Sequence, residues 1–256
     1  MDSIEEASSF RDPDGFVFVK EGRIYRQINV TYRENYELLV CSGLYESLVK
    51  EGLLIPHEEC PISMKVSCNA YKVIQPEEIE FISYPYEWCF SQFKDAALCL
   101  LRIMEIALEY SMILKDASAY NIQFKKGKPV LIDTLSFTKY EKRQPWVAYR
   151  QFCQHFVAPL ATMSQCDIRL SQLLRIYIDG LPLDLISKLL PFRSVLNFFL
   201  LSHVYLHARS QEYFAKHSLN NPKKSITLPN IGLKGIIQNL QDGIKKLNLK
   251  YRYSTW

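Results

Sequence analysis

The stretch LKDASAYNIQFKKGKPVLID, residues 114 to 133, limits what this chain can fold into more than any other. Two short apolar segments, Asn121–Phe124 and Pro129–Ile132, flank the turn KKGK, a pattern that predicts a tight β-hairpin. In such a hairpin the start of one strand lies beside the end of its partner, so Asn121 and Asp133 come within reach of one cation. Asp116 falls in the loop DASAY just ahead. A carboxylate and an amide oxygen are hard donors of the kind Mg²⁺ takes, and a second carboxylate nearby suits orienting or deprotonating a hydroxyl. Lone Asp and Asn residues more often cap turns. Here the hairpin, the second Asp and the order of the preceding elements favour a site.

That order begins with GFVFVKEGRIYRQI, which predicts strands Phe16–Val19 and Arg23–Ile28 around a Glu-Gly turn. TYRE, Thr31 to Glu34, is a capping-box pattern that predicts a helix to about Glu51, broken near Gly43 and closed by Gly52. A loop follows Pro56, then strands are expected at Tyr71–Val73 and Glu80–Ser83. SYPYEW, Ser83 to Trp88, reads as a rigid aromatic connector. Ser91 is expected to cap a helix running to about Met112, with Ala97, Leu100, Leu101, Met104 and Leu108 as its apolar stripe.

Beyond the hairpin the chain reads as helix. Pro159 must kink or end the segment that starts near Pro145, and a long aromatic helix is expected from Pro191 to about His217. Ser218 to Gly232 looks like a linker. The last helix carries Leu233, Ile237, Leu240, Ile244 and Leu247 at helical spacing with a Lys-rich opposite face, which suits packing on the body or on a neighbour. His155 reads as a packing histidine, and His203 with His207 lacks a third ligand for a metal.

Composition excludes several classes. A formal charge of +4 over 256 residues gives no nucleic-acid signal. The most apolar stretch, Val195 to Leu206, is too short to cross a membrane. Seven scattered cysteines and an acidic, polar start point to free thiols and a cytoplasmic location.

The Asp116, Asn121 and Asp133 set resembles the catalytic core of protein-kinase-like folds. The Ile132-Asp133 ending is similar to the aminoglycoside and choline kinase branch. The resemblance covers roughly Gly15 to the helices after Pro145. It implies an α+β, two-lobed fold: a reduced β-rich lobe and hinge over residues 1–88, a helical lobe over 89–217, then a linker and terminal helix over 218–256. It also implies ATP and Mg²⁺ as ligands. Asp116 would act as base, and Lys115 beside it would contact phosphate. Asn121 and Asp133 would hold the metal. Arg26 would stand where these folds place a lysine, with Glu34 or Glu37 as its helix partner, and Ser83, Tyr84 and Tyr86 would form the adenine hinge. No Gly-x-Gly-x-x-Gly or Val-Ala-x-Lys is present, and Leu114-Lys115 replaces His-Arg or His-Gly. These departures bear on transfer activity more than on the fold.

The wording SSFRDPDGFVF, SYPYEW, LKDASAYNIQF, PVLIDTLSF and PWVAYRQFCQHF is also similar to the front of bacterial SAM-dependent methyltransferases. No glycine-rich SAM-binding turn is present, so SAM is not expected on this chain. The reading is a nucleotide-binding, kinase-like accessory region whose partner is a methyltransferase domain or another protein. The alternatives are an active phosphotransferase and a pseudokinase scaffold that binds no nucleotide.

Overall fold

A computed structural model describes residues 4–5, 12–141, 144–210 and 230–249. The N-terminal region is an antiparallel sheet of β1 (Ile4–Glu5), β2 (Gly15–Lys20), β3 (Arg23–Asn29), β4 (His57–Cys60) and β5 (Ala70–Pro76), in the order β1-β2-β3-β5-β4. The two-residue periodicity of a strand sorts its side chains. Phe18, Tyr25 and Val73 make a small core on one face; Ile28, Ile74, Tyr32, Tyr36 and Leu135 make another. Arg26 pairs in register with Val17 and Ile74. Gln27, its neighbour on β3, is fully buried and fully bonded. Its Oε1 accepts from the Val66 and Ser67 N–H groups, and its Nε2 donates to Asn29 Oδ1 and Ser67 Oγ.

Two helices follow, α1 (Arg33–Cys41) and α2 (Leu44–Lys50), broken at Gly43 as expected. The TYRE capping box does not form. A 3₁₀ turn at Val30–Tyr32 precedes α1, and the Thr31 hydroxyl donates to the Pro13 carbonyl at 2.9 Å. That carbonyl, also held by Asn29 Nδ2 at 3.0 Å, competes for the hydroxyl. β4 lies where a loop was expected, because HEEC has no apolar alternation and joins the sheet edge through its main chain. Conversely, Glu80–Ser83 is no strand; it crosses between regions without a strand to pair with.

In the mostly helical C-terminal region, α3 (Phe90–Glu109) is the centre. Its N-terminus is tied at Cys89, whose N–H donates to Gln92 Oε1 at 2.9 Å, and not at Ser91. It buries more than the expected stripe because helices and strands pack around it. The hairpin of β7 (Ile122–Lys125) and β8 (Lys128–Leu131) turns at Lys126-Gly127, where φ is positive at both residues. Around it, β6 (Met112–Leu114) pairs with β9 (Phe137–Lys139). Leu53–Ile55 runs alongside β8, with bonds of 2.9 Å from Ile55 N–H to the Leu131 carbonyl and from Leu131 N–H to the Leu53 carbonyl. Leu39, Leu44, Leu48 and Leu54 therefore share the main core with α3.

Pro159 neither breaks nor sharply ends its helix. A π-turn at Cys153–Val157 joins α4 (Tyr149–Phe152) to α5 (Ala158–Gln165), a wider turn suited to a residue that lacks an N–H. After α6 (Leu183–Leu189), α7 (Phe198–Leu200) runs into a second π-turn, Leu201–Leu206. The expected linker falls outside the described residues over 218–229. α8 (Asn230–Lys246) packs on α3 and α7 through Leu233, Ile237, Leu240 and Ile244, and Lys94 Nζ caps its end through the Lys245 and Leu247 carbonyls. No described helix is long and apolar enough to cross a membrane.

Candidate functional site

The hairpin register sets the site. Ile122 pairs with Leu131, so Asn121 lies beside Ile132, whose N–H donates to the Asn121 carbonyl at 2.8 Å. Asp133 follows and opens the 3₁₀ turn Thr134–Ser136, with Oδ1 accepting from Leu135 N–H at 3.1 Å. Ser136 joins the two expected ligands. Its hydroxyl donates to Asp133 Oδ2 at 2.5 Å and accepts from Asn121 Nδ2 at 3.4 Å. Arg26 reaches in from β3 and ion-pairs with Asp133 Oδ1. Burial alone raises the Asp133 pKa, but Arg26, Ser136 and Leu135 outweigh it and hold the carboxyl below its ordinary value.

Lys115 and Asp116 stand on the neighbouring loop. The Lys115 N–H donates to the Ser136 carbonyl at 2.7 Å, while its ammonium ion-pairs with Asp14 and lies 4.9 Å from the Tyr32 ring centre. Tyr32 is itself anchored, its hydroxyl 2.7 Å from the Phe137 carbonyl. Asp116 Oδ1 accepts from Ser118 N–H at 2.9 Å, and Gln151 Oε1 fixes Ala117 N–H at 2.7 Å. Lys115, Asn121 and Asp133 thus meet at Ser136, and Arg26 joins them through Asp133.

Arg26 also lines a cleft of about 810 Å³, within the range of small-molecule sites, whereas Lys115, Asn121 and Asp133 are not among its lining residues. Val17, Ile24, Ile74, Ile82 and Ile132 give it apolar walls, and Arg26 lies at its floor with Thr134. His57, Glu58, Glu77 and Glu78 add polar groups. Two buried nitrogens on these lining residues have no partner among the described residues, Arg26 Nε and His57 Nδ1. The Tyr36 hydroxyl donates to Glu59 at 3.0 Å, so the His57 Nε2 contact to that oxygen, also 3.0 Å, places the ring proton on Nε2. Burial holds the His57 pKa down at about 4, partly offset by Glu59.

The other expected residues lie elsewhere. Glu34 is exposed, and Glu37 bonds Arg33 and Tyr71, so Arg26 takes Asp133 in place of a helix partner. Ser83, Tyr84 and Tyr86 do not line the cleft; Glu77 to Ile79 and Ile82 do. The buried amide of Gln123 holds the Ser83 main chain, accepting from its N–H at 2.9 Å and donating to its carbonyl at 3.1 Å. Tyr84 and Tyr86 stack on each other at 5.5 Å, and Arg175 lies over Tyr86. Sequence reasoning missed Asp14, Tyr32, Gln123 and Ser136. Ser136 alone had a local signal, a hydroxyl three residues after an Asp that caps a turn.

Among the described residues, no group of three or more His, Cys, Asp or Glu side chains is arranged to hold a metal.

The fold and site define an α+β protein of two regions, with a mixed apolar and charged cleft lined in part by Arg26, which ion-pairs with Asp133. No family model matches the chain. It is 35% identical over 207 residues to the nodulation protein NoeA of Rhizobium meliloti (strain 1021), covering 80% of this chain and 43% of that protein. The chain therefore spans less than half the length of this relative.

Proposed function

We propose that this chain is a kinase-like, nucleotide-binding region that serves as an accessory part of a larger assembly, with a SAM-dependent methyltransferase domain as its partner. The observation that carries this reading is the cleft lined by Arg26, whose guanidinium ion-pairs with Asp133. Its apolar walls suit a base. Arg26 Nε is a buried donor in want of an acceptor such as a phosphate oxygen. The element order also supports the kinase-like reading: strands, helix, two strands, connector, long helix, then the Asp-Asn-hairpin-Asp segment. On this reading residues 1–88 form the reduced lobe and hinge, 89–217 the helical lobe, and 218–256 an appendage. The greater length of NoeA supports an accessory role.

Asp133 and Asn121 would hold a Mg²⁺ delivered with nucleotide phosphates, and such an ion would supply charge neutralisation there. A second reading, phosphotransfer to a hydroxyl, rests on Asp116, whose Oδ2 takes no bond among the described residues. Calorimetric titration of ATP and GTP, with and without Mg²⁺, tests both. The wild type is expected to bind with Mg²⁺ dependence, and Asp133→Ala and Asn121→Ala are expected to lose that dependence. Absence of any binding by the wild type would sink the nucleotide reading. Dependence that survives both substitutions removes the metal role. Phosphate transfer that Asp116→Asn abolishes would make the chain an enzyme.

A further inference from the structure

The cleft is polarised across the sheet. Its arginines, Arg23 and Arg26, stand on β3, whereas His57 and Glu58 stand on β4 and Glu78 just beyond β5. Side chains two apart on a strand share a face. The register Arg26↔Ile74, Glu59↔Ile74 and His57↔Pro76 therefore puts Arg26, Ile74, Pro76 and His57 on one face, and all four line the cleft. Arg26 and His57 lie two strands across and two residues along from each other, roughly 12 Å between their Cα atoms. Neither serves the other: Arg26 turns to Asp133, and Arg26 Nε and His57 Nδ1 both bond no described group.

His57 is held in one orientation. Its N–H donates to the Tyr45 hydroxyl at 2.7 Å, and that hydroxyl donates back to the His57 carbonyl at 3.2 Å. The two rings pack with their centres 4.5 Å apart. Nε2–H donates to the Tyr36 hydroxyl, which donates to Glu59, itself ion-paired with Lys72. This chain fixes the tautomer and leaves Nδ1 a lone-pair acceptor, shielded from water. Burial keeps the ring neutral, with its pKa at about 4, so Nδ1 remains an acceptor at neutral pH. A buried acceptor without a donor is costly, and a ligand N–H would recover that cost.

We propose that His57 is a specificity-determining residue of the cleft: its Nδ1 accepts from an N–H donor at the end of the ligand opposite the anionic group, and in a nucleotide that donor is the 6-amino group of adenine. This rests on the reading that the cleft takes a nucleotide. Phosphates directed to the arginines of β3 leave the base toward β4, with Ile74, Ile79 and Ile82 as apolar walls for the ring. A purine with hydrogen at position 6 leaves Nδ1 unsatisfied. A 6-oxo purine sets a lone pair against a lone pair, and the ring cannot move its proton to Nδ1 without breaking the bond to Tyr36.

The test titrates ATP, purine riboside 5′-triphosphate and ITP, each with Mg²⁺, into the wild type, His57→Gln and His57→Phe by calorimetry. The wild type is expected to bind ATP about threefold to tenfold tighter than purine riboside 5′-triphosphate, the size of one net hydrogen bond, with ITP weakest. In His57→Phe the ATP affinity should fall to that of purine riboside 5′-triphosphate, whose own affinity stays unchanged. His57→Gln, which keeps a side-chain acceptor, should retain part of the preference. The wild-type series needs no variant, so it decides even where a substitution prevents folding. Equal binding of ATP and purine riboside 5′-triphosphate by the wild type, or a preference for ITP, overturns the role of His57 and leaves the nucleotide reading standing. So does a preference for ATP that His57→Phe retains in full. Failure of the wild type to bind any of the three overturns both.

Discussion

Arg26 and Asp133 are each largely withdrawn from water, with side chains 15% and 12% exposed. Such a pair contributes through mutual dependence, since removing one member leaves the other desolvated and uncompensated. Asp133→Leu is expected to cost about 3–5 kcal/mol by urea unfolding, whereas Arg26→Met with Asp133→Leu should cost clearly less than the sum of the singles. Strict additivity would mean that the two side chains do not stabilise each other. The sequence marked both residues as candidates but put Arg26 with a helix glutamate. Neither Glu34 nor Glu37 faces it: one is exposed, and the other is held by Arg33 and Tyr71.

At the scale of an element, α8 shows how one residue type can have opposite effects on one helix. Glycine costs a helix interior about 1 kcal/mol relative to alanine. At Gly235 a Cβ would enter open space, so Gly235→Ala is expected to raise stability by about 0.5–1 kcal/mol. At Gly243 a Cβ would lie 2.1 Å from the Phe199 ring, so Gly243→Ala is expected to lower it by about 1–3 kcal/mol. Thermal unfolding of the two variants checks the contrast; equal signs would show that α8 does not dock as described. The amphipathic spacing of this helix was legible in sequence, and so was the β7–β8 hairpin, because turn chemistry and apolar period are local signals. β4 was illegible for the converse reason: its place in the sheet comes from main-chain bonds to β5, and HEEC carries no pattern that announces them. What holds the connector in place was illegible likewise. Gln123 binds the Ser83 main chain across 40 residues of sequence, and no local signal points to that clasp.

The whole molecule stores several histidines as neutral, buried groups. Burial is the largest cause in each case, and it takes His57, His155 and His207 down to about 4. In the unfolded chain such groups titrate near 6.5. Between those values the unfolded state binds more protons than the folded one, so their contribution is complete above about pH 6.5 and is lost as the pH falls toward 4. The melting temperature should therefore drop steadily from pH 7 to pH 4.5, and proton uptake on unfolding should peak inside that window. A flat profile would show that these rings are not held neutral.

Sequence by itself determined the elements whose signals lie within a few residues: the hairpin at 121–132, the break at Gly43, the apolar face of α8, and the Asp116, Asn121 and Asp133 candidates on one segment. Only the tertiary structure decided what those candidates touch. Arg26 meets Asp133 across 107 residues and Lys115 meets Asp14 across 101. The reason is physical. A turn or a helix face is set by φ, ψ and side-chain period along the chain, whereas a charge buried at a region boundary takes whichever opposite charge the packing of the sheet on α3 and the hairpin delivers to it.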